Sequence, residues 1–132
     1  MKKILSCVLL FFLLTFVGCE SKSYVLKNSV EEIESIEIVY AESSIAFSTL
    51  KKLSEDEKAD FLTKFQKLKF SSYYFGDPMS VSGRTIKITY RNGNYEMICH
   101  YWAEYVKDGE IYFIKRNCDE DEFNSFIDSY MK

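Results

Sequence analysis

The spacing of apolar and polar residues changes several times along this chain, and each change marks an element. Residues 4–17 are apolar apart from Ser6 and Thr15 and carry no charge. Beyond them the period becomes two. Ile36, Ile38 and Tyr40 alternate with Ser35 and Glu37, which predicts a strand over 35–41. A shorter strand is expected over 45–49, with Ile45 and Phe47 on one side. Ser54-Glu55-Asp56-Glu57 then has the S-x-x-E order of a capping box. Phe61, Leu62, Phe65 and Leu68 follow as an apolar stripe, so a helix is expected from Ser54 to about Lys69.

Residues 70–75 read as a strand closed by Gly76-Asp77-Pro78. Residues 84–91, the dipeptide Asn92-Gly93 and the stretch from Asn94 onward read as a hairpin with a type I′ turn. Asp108-Gly109 ends its second strand and starts a third at Glu110. Two-residue turns fix the register. Ile88 should face Met97, Tyr90 should face Tyr95, Tyr105 should face Tyr112 and Cys99 should face Cys118. One apolar face results, made of Ile86, Ile88, Tyr90, Tyr95, Met97, Cys99, Tyr101, Tyr105, Tyr112, Ile114 and Cys118. The chain closes with Phe123, Phe126, Ile127, Tyr130 and Met131 at helical spacing, behind four acids that suit the positive end of a helix dipole. The expected order is β-β-α-(β)-β-β-β-α. It is an α+β, two-layer sandwich in which an antiparallel meander sheet packs against two helices.

The leader carries its own signature. Met1-Lys2-Lys3 is basic, the apolar run is too short to span a bilayer, and Glu20-Ser21-Lys22-Ser23 turns polar at once. At the junction, Phe16-Val17-Gly18-Cys19 resembles the lipobox of bacterial lipoproteins, usually Leu-Ala/Ser/Val-Gly/Ala-Cys, with Phe16 where Leu is usual. The resemblance covers the leader alone. It implies diacylglyceryl transfer to the Cys19 thiol, cleavage before Cys19, and attachment at the extracytoplasmic face of a membrane. The chain then divides into a signal peptide (1–18), a lipid-anchored polar tether (19–28) and one α+β domain (29–132).

Composition narrows the function classes. With 10 Tyr, 11 Phe and one Trp against six Gly and Pro together, the sequence is neither disordered nor linker-like. Removal of Lys2 and Lys3 with the leader takes Lys+Arg from 17 to 15 against 20 acids, a net charge of −5. The basic residues are scattered, so nucleic acid is not an expected partner.

Candidate chemistry is sparse. Cys99 and His100 are neighbours on a strand, point to opposite faces and cannot act as a dyad. With Cys7 lost in the leader and Cys19 lipidated, Cys99 and Cys118 are expected to form a disulfide. Asp119, Glu120, Asp121 and Glu122 lack the spacing of an EF-hand loop and read as a helix first turn. No metal ligand set, cofactor motif or catalytic constellation is visible. The opposite sheet face carries Ile98, His100, Trp102, Val106, Ile111 and Phe113 among Glu96, Glu104 and Lys115, more apolar than solvent requires. Either other elements cover it or it is a recognition surface. His100, Trp102 and Phe113 are its candidate residues, and Tyr73, Tyr74 and Phe75 beside Gly76-Asp77-Pro78 read either as a core strand or as an aromatic binding loop that extends the recognition surface. The leading expectation is a membrane-anchored, non-enzymatic binding or inhibitor-like module. The alternatives are an envelope enzyme using unrecognised carboxylates, or a structural accessory subunit of an envelope complex.

Overall fold

A computed structural model describes residues 22–71 and 80–132. Eight strands and two helices follow one another: β1 (Ile33–Ala41), β2 (Phe47–Lys52), α1 (Glu55–Phe65), β3 (Phe70–Ser71), β4 (Gly83–Tyr90), β5 (Tyr95–Ile98), β6 (Ala103–Lys107), β7 (Glu110–Ile114), β8 (Asn117–Cys118) and α2 (Glu120–Asp128). Six strands form one antiparallel sheet in the order β2-β1-β4-β5-β6-β7, and β3 pairs with β8 in a second, small sheet. The class is α+β, with the large sheet packed against the helices.

The helices form where the sequence supplies caps. Ser54 Oγ accepts the Glu57 N–H at 3.3 Å, and Glu57 Oε2 accepts the Ser54 N–H at 2.8 Å, a complete capping box. Lys51 Nζ binds Glu57 at 2.8 Å and the Tyr130 carbonyl at 2.6 Å, tying α1, β2 and the end of α2 together. The bond from Lys51, then that from the Ser54 N–H, holds the Glu57 carboxyl below its usual range. Helix α1 ends at Phe65, short of the expected Lys69, and Leu68 joins the core through a turn. In α2 the acids sit as expected. Asp119 caps the Glu122 N–H at 3.0 Å and three acids fill the first turn. Phe61 and Phe65 of α1, with Phe123 and Ile127 of α2, pack on Ile36, Ile38, Ile86, Ile88 and Tyr90 of the sheet.

Three local features depart from the sequence reading. First, β4 and β5 pair Ile88 with Glu96 and Thr89 with Tyr95, one residue away from the expected register. The loop holds three residues, Arg91-Asn92-Gly93, and only Gly93 has positive φ, at 88°. That is the pattern of a type I turn ending in a left-handed glycine. Asn92 Oδ1 accepts the Asn94 N–H at 3.0 Å and stabilises the wider loop. A one-residue slip turns every side chain of a strand over. Tyr95, Met97 and Cys99 therefore leave the helix-side face, and Glu96 and Ile98 enter it.

Second, the stretch expected as one strand through Val106 turns sharply at His100-Tyr101, where the Cys99 N–H meets the Trp102 carbonyl at 2.9 Å. This hairpin inverts the parity again, so Tyr105 and Ile114 face the helices as expected. The Asp108-Gly109 turn has positive φ at both residues and gives the expected pairing of Tyr105 with Tyr112. The expected pair Cys99 and Cys118 does not form. Cys118 pairs with Phe70, Cys99 sits at the hairpin tip, and both are free, buried thiols in separate core clusters. No ladder opposes them, because the strand that would carry it is folded at residue 100.

Third, the expected tether is part of the fold from Lys22 onward. Lys22 exchanges two backbone hydrogen bonds with Phe70, at 2.9 and 2.8 Å, and Tyr24 is buried against Phe65 and Phe70. A polar composition conceals one buried aromatic anchor. The expected strand at 70–75 is seen as Phe70–Ser71, and its remainder with the Gly76-Asp77-Pro78 turn lies outside the described residues.

Replacing the α1 cap should be measurable. Ser54→Ala is expected to lower the unfolding free energy by about 1 kcal/mol in denaturant titration. An unchanged midpoint would mean that α1 is nucleated elsewhere.

Candidate functional site

Two carboxylates enter buried space on opposite faces of the large sheet, and the register places both. On the helix side, Glu96 is fully buried. Its Oε1 accepts the Tyr24 hydroxyl at 2.8 Å, and its Oε2 accepts the Lys27 N–H at 3.1 Å and the Tyr90 hydroxyl. Burial raises the Glu96 pKa, and the three donors oppose that rise without cancelling it. Both tyrosines are pushed well above their usual range, chiefly by burial and then by Glu96. Every oxygen is satisfied, so this cluster is a structural clamp that fastens 22–28 to the sheet.

The other face has its own core at one end and an open groove at the other. Val39, Ala41, Val81, Met97, Cys99 and Trp102 are buried there, with Phe47, Tyr95 and Tyr101 packed on them. Lys87 lies between the rings of Phe47 and Tyr95, 4.5 and 4.8 Å from their centroids, and reaches Glu37 at 3.7 Å. Toward β7 a groove of about 300 Å³ opens, lined by Ser43, Ser44, Ile45, Ser80, Glu104, Ile111 and Phe113. Its rim is apolar and in solvent: Ile45 is 71 %, Ile111 38 % and Phe113 56 % exposed. Glu104 lines the same groove, is only 2 % exposed, and its Oε2 has no hydrogen-bond partner among the described residues. Tyr95, which donates to the Ser44 carbonyl at 2.9 Å, has its pKa raised by burial and then by Glu104.

The residues singled out from sequence scatter. Phe113 lies on the groove. Trp102 is fully buried, 5.8 Å from Phe113 between ring centroids, and belongs to the second core rather than to the surface. Its burial follows from the His100-Tyr101 hairpin, which folds it under the sheet. His100 lies apart at the hairpin tip, in a polar cleft with Arg84, Glu120 and Asp128, and is 3.9 Å from Glu120. Tyr73, Tyr74, Phe75 and Cys19 lie outside the described residues. Burial raises the Cys99 thiol, and burial followed by Glu122 and Asp119 pushes Cys118 up to about 11, so neither is activated as a thiolate. Among the described residues, no three His, Cys, Asp or Glu side chains gather as a metal set, and no helix is long and apolar enough to cross a membrane.

Sequence reasoning missed the Glu96 clamp, and the only available signal was that Asn92-Gly93 also suits a three-residue loop. Glu104 was placed on the correct face. The loop after β1 brings Ser43, Ser44 and Ile45 to the same groove, an approach that strand alternation does not encode. Comparison with protein-family models, characterised proteins and solved structures finds no match for this chain.

The clamp has a pH signature. A carboxyl whose pKa is raised by folding stabilises the fold most when protonated. Its contribution is present below the unfolded pKa and lost as pH rises through the folded value. Unfolding measured from pH 4 upward should show wild type losing stability relative to Glu96→Gln as pH rises past the ordinary carboxylate range. A pH-independent difference between the two would refute the assignment.

Proposed function

We propose that this chain is a lipoprotein held through Cys19 at the extracytoplasmic face of a bacterial membrane, with a domain that acts as a non-enzymatic binding module. The leader pattern supports the anchor. Lys22 is already paired with Phe70, and three residue steps back to Cys19 span at most ~10 Å. A domain so tethered stays close to the lipid headgroups and meets partners at or near the membrane surface.

One observation carries the binding reading. The exposed apolar rim of Ile45, Ile111 and Phe113 surrounds a buried carboxylate whose Oε2 has no partner among the described residues. An apolar rim in solvent and a polar group awaiting a donor together describe a recognition site.

Two measurements test the proposal. Cys19→Ala should accumulate as an unlipidated precursor retaining residues 1–18, and normal lipid labelling of that variant would refute the anchor. With a photo-cross-linking residue at position 45 in intact cells, an adduct of defined mass is expected. Phe113→Ser should reduce its yield about tenfold, the scale of a central interface residue. An undiminished yield would refute the groove as the binding surface.

A further inference from the structure

Building on the binding-module reading, we infer that the groove beside β7 takes an extended segment of a partner protein. The segment adds to β7 as a further strand, and one of its Lys or Arg side chains reaches Glu104. Three features of the structure meet at this point.

The first is the edge. Among the described residues, β7 pairs with β6 and with nothing on its outer side. An edge strand presents alternate N–H and C=O groups outward, and proteins normally blunt such edges with Lys, Pro or a bulge. The β7 sequence, Glu-Ile-Tyr-Phe-Ile, has neither Lys nor Pro, and its pairing with β6 is unbroken over five residues. Tyr112 is exposed on one side of it and Ile111 and Phe113 on the other. That is the edge that strand addition uses.

The second is the row of side chains. Met97, Glu104 and Phe113 are cross-strand neighbours on β5, β6 and β7. A residue of an added strand opposite Phe113 continues that row. It lies two strand spacings, ~10 Å, from the Glu104 backbone. A glutamate and a long basic side chain together bridge that distance, with the cationic stem passing over the Phe113 ring.

The third is charge. A carboxylate oxygen buried without a donor carries a desolvation cost that a guanidinium or ammonium group relieves. The same sheet face already holds one such arrangement within the chain: Lys87 lies over the Phe47 and Tyr95 rings and against Glu37. Glu104 beside Phe113 repeats the aromatic and the acid, and among the described residues it lacks the cation.

The test uses the full-length lipoprotein in detergent micelles and fluorescent peptides. The probe is acetyl-Thr-Val-Lys-Val-Thr-amide, compared with a version carrying norleucine for Lys and one with alternate backbone nitrogens methylated. The unaltered protein is expected to bind the Lys peptide at least about tenfold more tightly than either control. Glu104→Gln should bring the Lys and norleucine peptides within about twofold, with no fall in thermal midpoint. Equal binding of the Lys and norleucine peptides by the unaltered protein would overturn the inference, as would no binding of any peptide. Competition by butylamine as effective as by unlabelled peptide would show a small-amine pocket instead of a strand site and would overturn it too. If these peptide results fail while the Phe113-dependent cellular adduct persists, the binding module stands and the cationic strand falls. If the adduct is also lost, both fall.

Discussion

The count of residues in the loop Arg91-Asn92-Gly93 governs what each side of the sheet presents. A two-residue turn would have set Tyr95 and Met97 against the helices and turned Glu96 to the other face. The three-residue loop does the reverse, and Gly93 allows it by taking the left-handed conformation at little cost. Glu96 then lies beside Tyr90, where the N-terminal segment brings Tyr24 and the Lys27 N–H to meet it. A carboxylate in that position without those donors would be strongly unfavourable. The clamp and the register therefore require one another: the loop places the acid, and the acid fixes where residues 22–28 must dock.

The same slip furnishes the second face. Met97 moves across to join Trp102, Val39 and Ala41, giving the sheet a core on both sides at its β1–β5 end. The second hairpin, at His100-Tyr101, restores the parity of β6 and β7. Glu104, Val106, Ile111 and Phe113 consequently share a face with Met97; Glu104 and Val106 are buried there, while Ile111 and Phe113 on β7 are exposed. The result is a sheet covered at one end and open at the other. The open end combines an apolar rim, a buried acid and a strand edge that is unpaired among the described residues.

How much of this was legible in the sequence follows from how each feature is encoded. The cap at Ser54, the acids ahead of α2 and the Asp108-Gly109 turn are local, written within four residues, and each lies where its pattern places it. Alternation along β1, β4 and β7 is equally plain. The β5 register was not legible, because Tyr95, Met97 and Cys99 on one side and Glu96 and Ile98 on the other both offer apolar residues to a core. A sheet buried on both faces erases the contrast on which alternation depends. The His100-Tyr101 hairpin has no Gly, Pro, Asn or Asp to announce it. Glu96 read as part of the face away from the helices because its partner, Tyr24, is 72 residues away in a stretch that looks like tether. In the site, Phe113 and Glu104 could be assigned to a common face from sequence, whereas the exposure of one and the burial of the other are set by tertiary packing that alternation does not encode.

The register itself is open to direct observation by proton NMR of the folded domain. In an antiparallel ladder the Cα protons of a non-hydrogen-bonded pair lie closest. The Tyr90 N–H bonds to the Asn94 carbonyl, so the close pairs on either side of the loop are Thr89 with Tyr95 and Lys87 with Met97. Strong Cα-proton Overhauser contacts between those two pairs are the predicted result. Contacts between Tyr90 and Tyr95 and between Ile88 and Met97 in their place would contradict it, and with it the burial of Glu96.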